Sequence, residues 1–146
     1  MWCWSAQTVS VSRYYNPAST WTQCSLANHE FGKSSCCNSP TPSDCVQGWW
    51  PEKSLVTTGN LASHKLAAAT FAEVDREIDH GRPIGVRVDW SGGGAHALAV
   101  YGYLEGSTNF VAVADPWYGP SDIAYDTLRT SYQLSGTWTE TYFTQP

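Results

Sequence analysis

The period of hydrophobic and polar positions changes along the chain, and the changes mark its elements. From Met1 to Asn16 there is no Gly or Pro and one charge, Arg13, which predicts a helix buried on most of its sides. Residues 22–32 predict a second, with Cys24, Ala27 and Phe31 on one stripe and Gly32 as terminator. A third is signalled by Thr70-Phe-Ala-Glu73, a capping box in which each polar side chain receives a backbone N–H. Phe71, Val74 and Ile78 carry its apolar stripe, and His80-Gly81 close it, the imidazole complementing the helix dipole. The period then falls to two. Residues 83–90 alternate as a strand, Ser91-Gly92-Gly93-Gly94 interrupts, residues 95–103 resume, and 109–115 form another strand. Ile123 with Tyr125, and the run from Thr137 to Phe143, predict further strands. Helices first and an antiparallel sheet later is an α+β pattern.

Chemistry enters through three residues on these elements. Cys3 falls in the first turn of the first helix, where free backbone N–H groups and the positive end of the dipole favour a thiolate. His96 and Asp115 lie on the two strands joined by Leu104-Glu105-Gly106-Ser107-Thr108. An even-numbered loop turning about Glu105-Gly106 sets His96 directly opposite Asp115, with Cβ atoms roughly 4.5–5.5 Å apart. A loop one residue longer or shorter puts them on opposite faces. A carboxylate beside that imidazole fixes its tautomer and stabilises its charged form. Gly92, Gly93 and Gly94 next to it let a ligand approach the backbone.

The strand-borne Gly-Gly-Ala-His96-Ala-Leu-Ala-Val, the later Val-Ala-Val-Ala-Asp115-Pro-Trp-Tyr-Gly119 and the helix-opening Cys3-Trp4 together resemble the papain-like cysteine peptidases. The likeness is greatest to bacteriocin-processing peptidase domains and short bacterial effector proteases. The resemblance spans Trp2 to about Gly119. It implies a papain-like fold, with N-terminal helices, among them a central one carrying Cys3, packed on a C-terminal antiparallel sheet. It implies a cysteine endopeptidase acting on a protein substrate, with Cys3 as nucleophile, His96 as base then acid, and Asp115 as orienter of His96. Trp117 matches the tryptophan that shields the histidine's hydrogen bond from water. Such enzymes need no cofactor or metal. They usually carry a Gln about six residues before the nucleophile, donating to the oxyanion. Only Met1 and Trp2 precede Cys3 here, so the expectation is a domain excised from a longer effector or toxin, or a donor elsewhere such as Gln7 or Gln47. A protein secreted or delivered into a target cell by a bacterial secretion system, with a cognate immunity or inhibitor protein as partner, follows from the same class.

Length and composition narrow the rest. The 146 residues, 42% apolar, predict one domain over 1–146 with a core of its own. A net charge of -5 without Lys/Arg clusters argues against nucleic acid, and no 18-residue apolar run spans a membrane. No signal peptide is evident before the helix bearing Cys3. Cys24, Cys36, Cys37 and Cys45 cluster in a turn-rich stretch. Disulfides, reduced packing cysteines and a zinc site with His29 are the three readings, and the preferred pairing links Cys36 and Cys37 separately to Cys24 and Cys45. Two other functions stay open. The eight Trp and eight Tyr, with Trp49-Trp50 as a surface, suit a non-catalytic binding module; the same thiol chemistry suits a peptidoglycan amidase, although Met-Trp-Cys-Trp is unlike the nucleophile context of those enzymes.

Overall fold

Local side-chain chemistry starts the second and third predicted helices where the pattern places them. The computed structural model describes residues 1–146. Helix α1 runs Cys3–Tyr15 and α2 Gln23–Phe31, the latter opened by a reciprocal Thr22–Ser25 capping box and closed by Gly32 in the left-handed conformation. A turn of 3-10 helix (Ser43–Cys45) precedes α3 (Pro51–Thr57), which starts on a proline whose missing N–H costs nothing there. Strand β1 (Leu61–Lys65) follows, then α4 (Phe71–Asp79) with the Thr70–Glu73 capping box. The remainder is β2 (Ile84–Trp90), β3 (Ala95–Leu104), β4 (Phe110–Asp115), β5 (Gly119–Ala124), α5 (Tyr125–Ser131) and β6 (Gly136–Thr144).

All six strands form one antiparallel sheet in the order β1-β6-β2-β3-β4-β5. Mixed helices and antiparallel strands agree with an α+β peptidase fold, although α4 and α5 interleave with the strands. Period two divides the sheet into two buried faces. Val86, Val88, Leu98, Val100, Val111 and Val113 pack under Val74 of α4 and Leu128 of α5. On the reverse, Ala97 meets Trp4 and Leu26, and Tyr142 meets Val11 and Leu55. Burial of each such side chain contributes about 1.5–3 kcal/mol. Gly85 lets α1 come close to the sheet: an added Cβ there would lie 3.1 Å from Tyr142 and 3.3 Å from the Gln7 side chain.

Two expectations change and one alternative drops out. Tyr125 does not extend a strand. It opens α5, its hydroxyl donating to the Ala69 carbonyl (2.8 Å) and its ring meeting Phe71, contacts that lie far away in sequence. The β3–β4 register also differs. Leu104 pairs with Phe110, so the connection holds five residues, an odd number that by itself would set His96 and Asp115 on opposite faces. A bulge at Tyr101 then shifts the register by one, so that Val100 pairs with Val113 and Ala99 with Ala114. Beyond the bulge, His96 follows Leu98 and Val100 on the face shared by Val111, Val113 and Asp115, diagonal to Asp115 and not directly opposite it. Finally, the zinc alternative fails because the four thiols are consumed: Cys24 bonds Cys37 and Cys36 bonds Cys45, the preferred pairing. His29 instead lies edge-on to Trp21.

Candidate active site

The site assembles where β3 outruns β4. The last β3–β4 pair before the open end is Ala99 with Ala114, leaving Ala95–Leu98 paired only to β2. Helix α1 packs against β3 and brings Cys3, its first residue, to this end. No side chain caps α1 and its first turn holds no acid, so backbone N–H groups remain for the sulfur. Burial pushes the Cys3 thiol pKa up. The His96 side chain and the Ala97 and Trp4 N–H groups outweigh it, and the net value lies below the ordinary 9.0. Cys3 is the one free cysteine.

His96 and Asp115 form a closed unit with both side chains fully buried. The imidazole Nε2–H faces both carboxylate oxygens, at 2.8 and 2.9 Å. Burial pulls the His96 pKa down, but Asp115 and the Cys3 sulfur raise it more, from 6.5 to about 9. Its Nδ1 is buried and has no hydrogen-bond partner, and Cys3 and His96 line the same two cavities. Asp115 in turn accepts the Trp117 and Tyr118 N–H groups on Oδ1 (2.6 and 2.9 Å) and the Tyr132 hydroxyl on Oδ2 (2.6 Å). Burial works against its charge, yet His96 first, then Tyr132 and the Tyr118 and Trp117 N–H groups, hold its pKa below the ordinary carboxylate value. Burial and the Asp115 carboxylate push Tyr132 upward, so it stays a neutral donor.

Aromatic rings enclose the unit. Trp90 stacks on His96 (centroids 5.9 Å, planes 20° apart) and on Tyr132, while Trp117 covers the imidazole from outside at 5.7 Å. Neither Trp90 nor Tyr132 was identified from the sequence. The glycine-rich turn before His96 was the available pointer to Trp90, which ends β2 immediately before it; nothing local pointed to Tyr132, beyond α5.

The two glutamines expected as oxyanion donors are committed elsewhere. Gln7 is buried with its Nε2 donating to the carbonyls of Val86, at 3.0 Å, and of Leu98. Gln47 donates to the Asp44 carbonyl. Gln23, passed over in the sequence, lines a cavity with Cys3, His96 and Trp117. A second, larger cavity on the other flank of Cys3 and His96 is walled by Trp49 and Trp50.

A nucleophile-type thiol at a helix start, an imidazole beside it and a carboxylate behind the imidazole have the arrangement required for thiol-based hydrolysis. The family comparison supplies the class: the model of the Peptidase_C39 like family matches residues 1–145, and the chain belongs to this family. Membership supports a relationship to papain-like cysteine peptidases and cysteine peptidase activity, a hydrolase chemistry. No curated protein matches the chain.

Proposed function

We propose that the chain is a papain-like cysteine endopeptidase whose nucleophile is Cys3, with His96 as proton carrier and Asp115 as orienter. The observation that carries this reading is the directed imidazole: Nε2 is occupied by Asp115 while Nδ1 is buried and free of any hydrogen-bond partner, and Cys3, a thiol of lowered pKa, lines the same cavities. Opposite shifts on Cys3 and His96 favour a thiolate–imidazolium pair in the resting site. The thiolate attacks the peptide carbonyl carbon, and the carbonyl oxygen takes up negative charge facing the Cys3 N–H. Collapse breaks the C–N bond as His96 passes its Nδ1 proton to the leaving amine, giving a thioester. Water then attacks the thioester carbonyl while His96 takes its proton, and expulsion of the thiolate restores the resting pair. Asp115 keeps its charge throughout and stabilises each imidazolium.

The protein substrate is part of this reading. So is action outside a reducing cytosol, supported by the two disulfides beside the site. Secretion or delivery, and a cognate inhibitor that protects the producer, extend it. Cys3→Ala should abolish peptide cleavage with the circular dichroism unchanged, and iodoacetamide should alkylate wild-type Cys3 with an apparent pKa below 9.0. Substantial proteolysis by Cys3→Ala would exclude the mechanism.

A further inference from the structure

The chain leaves α1 at Asn16, where Pro17 bars another helical turn, and folds back along the helix on its way to α2. Hydrogen bonds fix this return. Asn16 Oδ1 accepts the Ala18 N–H at 3.1 Å, the Ser12 and Ser19 hydroxyls bond each other at 2.8 Å, and an Arg13 terminal nitrogen donates to the Trp21 carbonyl at 3.0 Å. Across from it the turn after α3 is tied down as well, Asn60 donating its backbone N–H to the Leu55 carbonyl at 2.8 Å and its Nδ2 to the Gln145 carbonyl at 2.9 Å. Between them lies a cleft of about 470 Å³, within the ~300–1,000 Å³ of ligand-binding sites. It stands at the far end of α1 from Cys3, roughly 18 Å along the axis at 1.5 Å per residue, and shares no lining residue with the two cavities beside the nucleophile.

The lining is polar and uncharged. Tyr15, Asn16, Thr20, Trp21, Thr58 and Asn60 border the cleft, and no acidic, basic, His or Cys side chain does. A metal ion finds no carboxylate, imidazole or thiolate there, an anion finds no cation, and an aliphatic chain finds mostly hydroxyls and amides that it would strip of water. Asn60 is only 5% exposed, and its Oδ1 is buried without a partner, an acceptor of the kind that native structures seldom leave unpaired. Asn16 has its Oδ1 engaged by Ala18, so its amide N–H groups are the donors that remain. Trp21 is half-buried beside these groups.

We propose that this cleft binds a neutral saccharide unit. A pyranose combines an apolar C–H face, which packs on an aromatic ring, with a rim of hydroxyls that both donate and accept. Trp21 takes the face, Asn60 Oδ1 accepts from one hydroxyl, and Asn16 Nδ2 donates to another. A glycan held there leaves Cys3 open.

Nitrogen-15 NMR of the whole chain, titrated with glucose, galactose, mannose and N-acetylglucosamine and with cellobiose and chitobiose, reads the site directly. At least one of these sugars should shift the Trp21 indole N–H and the Asn16 and Asn60 side-chain amides with a Kd of roughly 1–10 mM, the scale expected of about a dozen heavy atoms. Glucuronate should bind at least about tenfold more weakly than glucose, because nothing in the lining answers its charge. Trp21→Ala should weaken binding at least about tenfold through the lost ring contact. Asn16→Ala, at an exposed position, should weaken it several-fold, and both variants should keep Cys3-dependent peptide cleavage. Affinity that rises with chain length identifies a polymeric glycan as the source, and equal affinity a free sugar. No shift from any of these sugars at about tenfold the expected Kd, shifts confined to residues around Cys3, tighter binding of glucuronate than of glucose, or unchanged affinity in the variants would overturn the site. Asn16→Ala decides alone should Trp21→Ala not fold.

Discussion

At the scale of single residues, the site is governed by how His96 is charged. Asp115 and Cys3 both favour its protonated form, against a burial penalty that would otherwise lower its pKa. A group whose folded pKa is raised contributes stability that is fully present below its unfolded value, near 6.5, and lost as pH rises through about 9. In the proposed mechanism catalysis has the same alkaline limit, because above it the imidazolium that would protonate the leaving amine disappears. We expect kcat/KM to fall above pH about 9 and, on the acid side, through the lowered Cys3 pKa as the thiolate is protonated. Asp115→Asn keeps the orienting hydrogen bond but removes the charge, so its alkaline limit should move to lower pH while activity persists. An unmoved limit would show that Asp115 does not set the His96 pKa. Cys3, His96 and Asp115 were legible in the sequence because each has a local context, a helix start, a glycine-preceded strand and a strand end. Tyr132 was not legible, since an interior tyrosine becomes the partner of Asp115 only when α5 folds back.

At the scale of elements, the site depends on how α1 meets the sheet. Gln7 binds the helix to carbonyls on two neighbouring strands, Val86 on β2 and Leu98 on β3. Gln7→Ala would remove both hydrogen bonds from a buried site, at about 0.5–1.5 kcal/mol for each bond lost. We expect a clearly lowered Tm, with kcat of the folded protein changed by only a few-fold. A loss of 10² or more in kcat, the scale of a missing oxyanion donor, with Tm unchanged would give Gln7 the catalytic role instead. The β3–β4 hairpin carries the other lesson. Periodicity identified both strands, but register is a count, and one bulged residue at Tyr101 cancels the odd loop. A bulge forms where it relieves twist and packing between particular strands, and those neighbours are not encoded within the strand itself.

At the scale of the whole molecule, the disulfide-bonded segment acts as a wall of the site. The tryptophans flanking the nucleophile hold it down: the Trp2 indole N–H donates to the Cys45 carbonyl at 2.7 Å and that of Trp4 to the Gln47 carbonyl at 3.1 Å. The same segment continues into Gly48–Trp50 at the larger cavity. Breaking Cys36–Cys45 should therefore raise KM several-fold more than it lowers kcat, because the wall loosens while the His96–Asp115 unit rests on the sheet. A Cys36→Ser/Cys45→Ser double variant, assayed with one peptide against the wild type, measures the split; equal KM values would detach the segment from substrate binding. By itself the sequence determined the capped helices, the main strands and the three residues, Cys3, His96 and Asp115, that the fold brings together, because helix starts and alternating strands are written in residues a few positions apart. Only the tertiary structure decided the strand order, the inward commitment of Gln7, the bulge that returns His96 to the face of Asp115, and the aromatic enclosure. Each of these is a contact between distant segments, and its free energy exists only once the chain has brought them together.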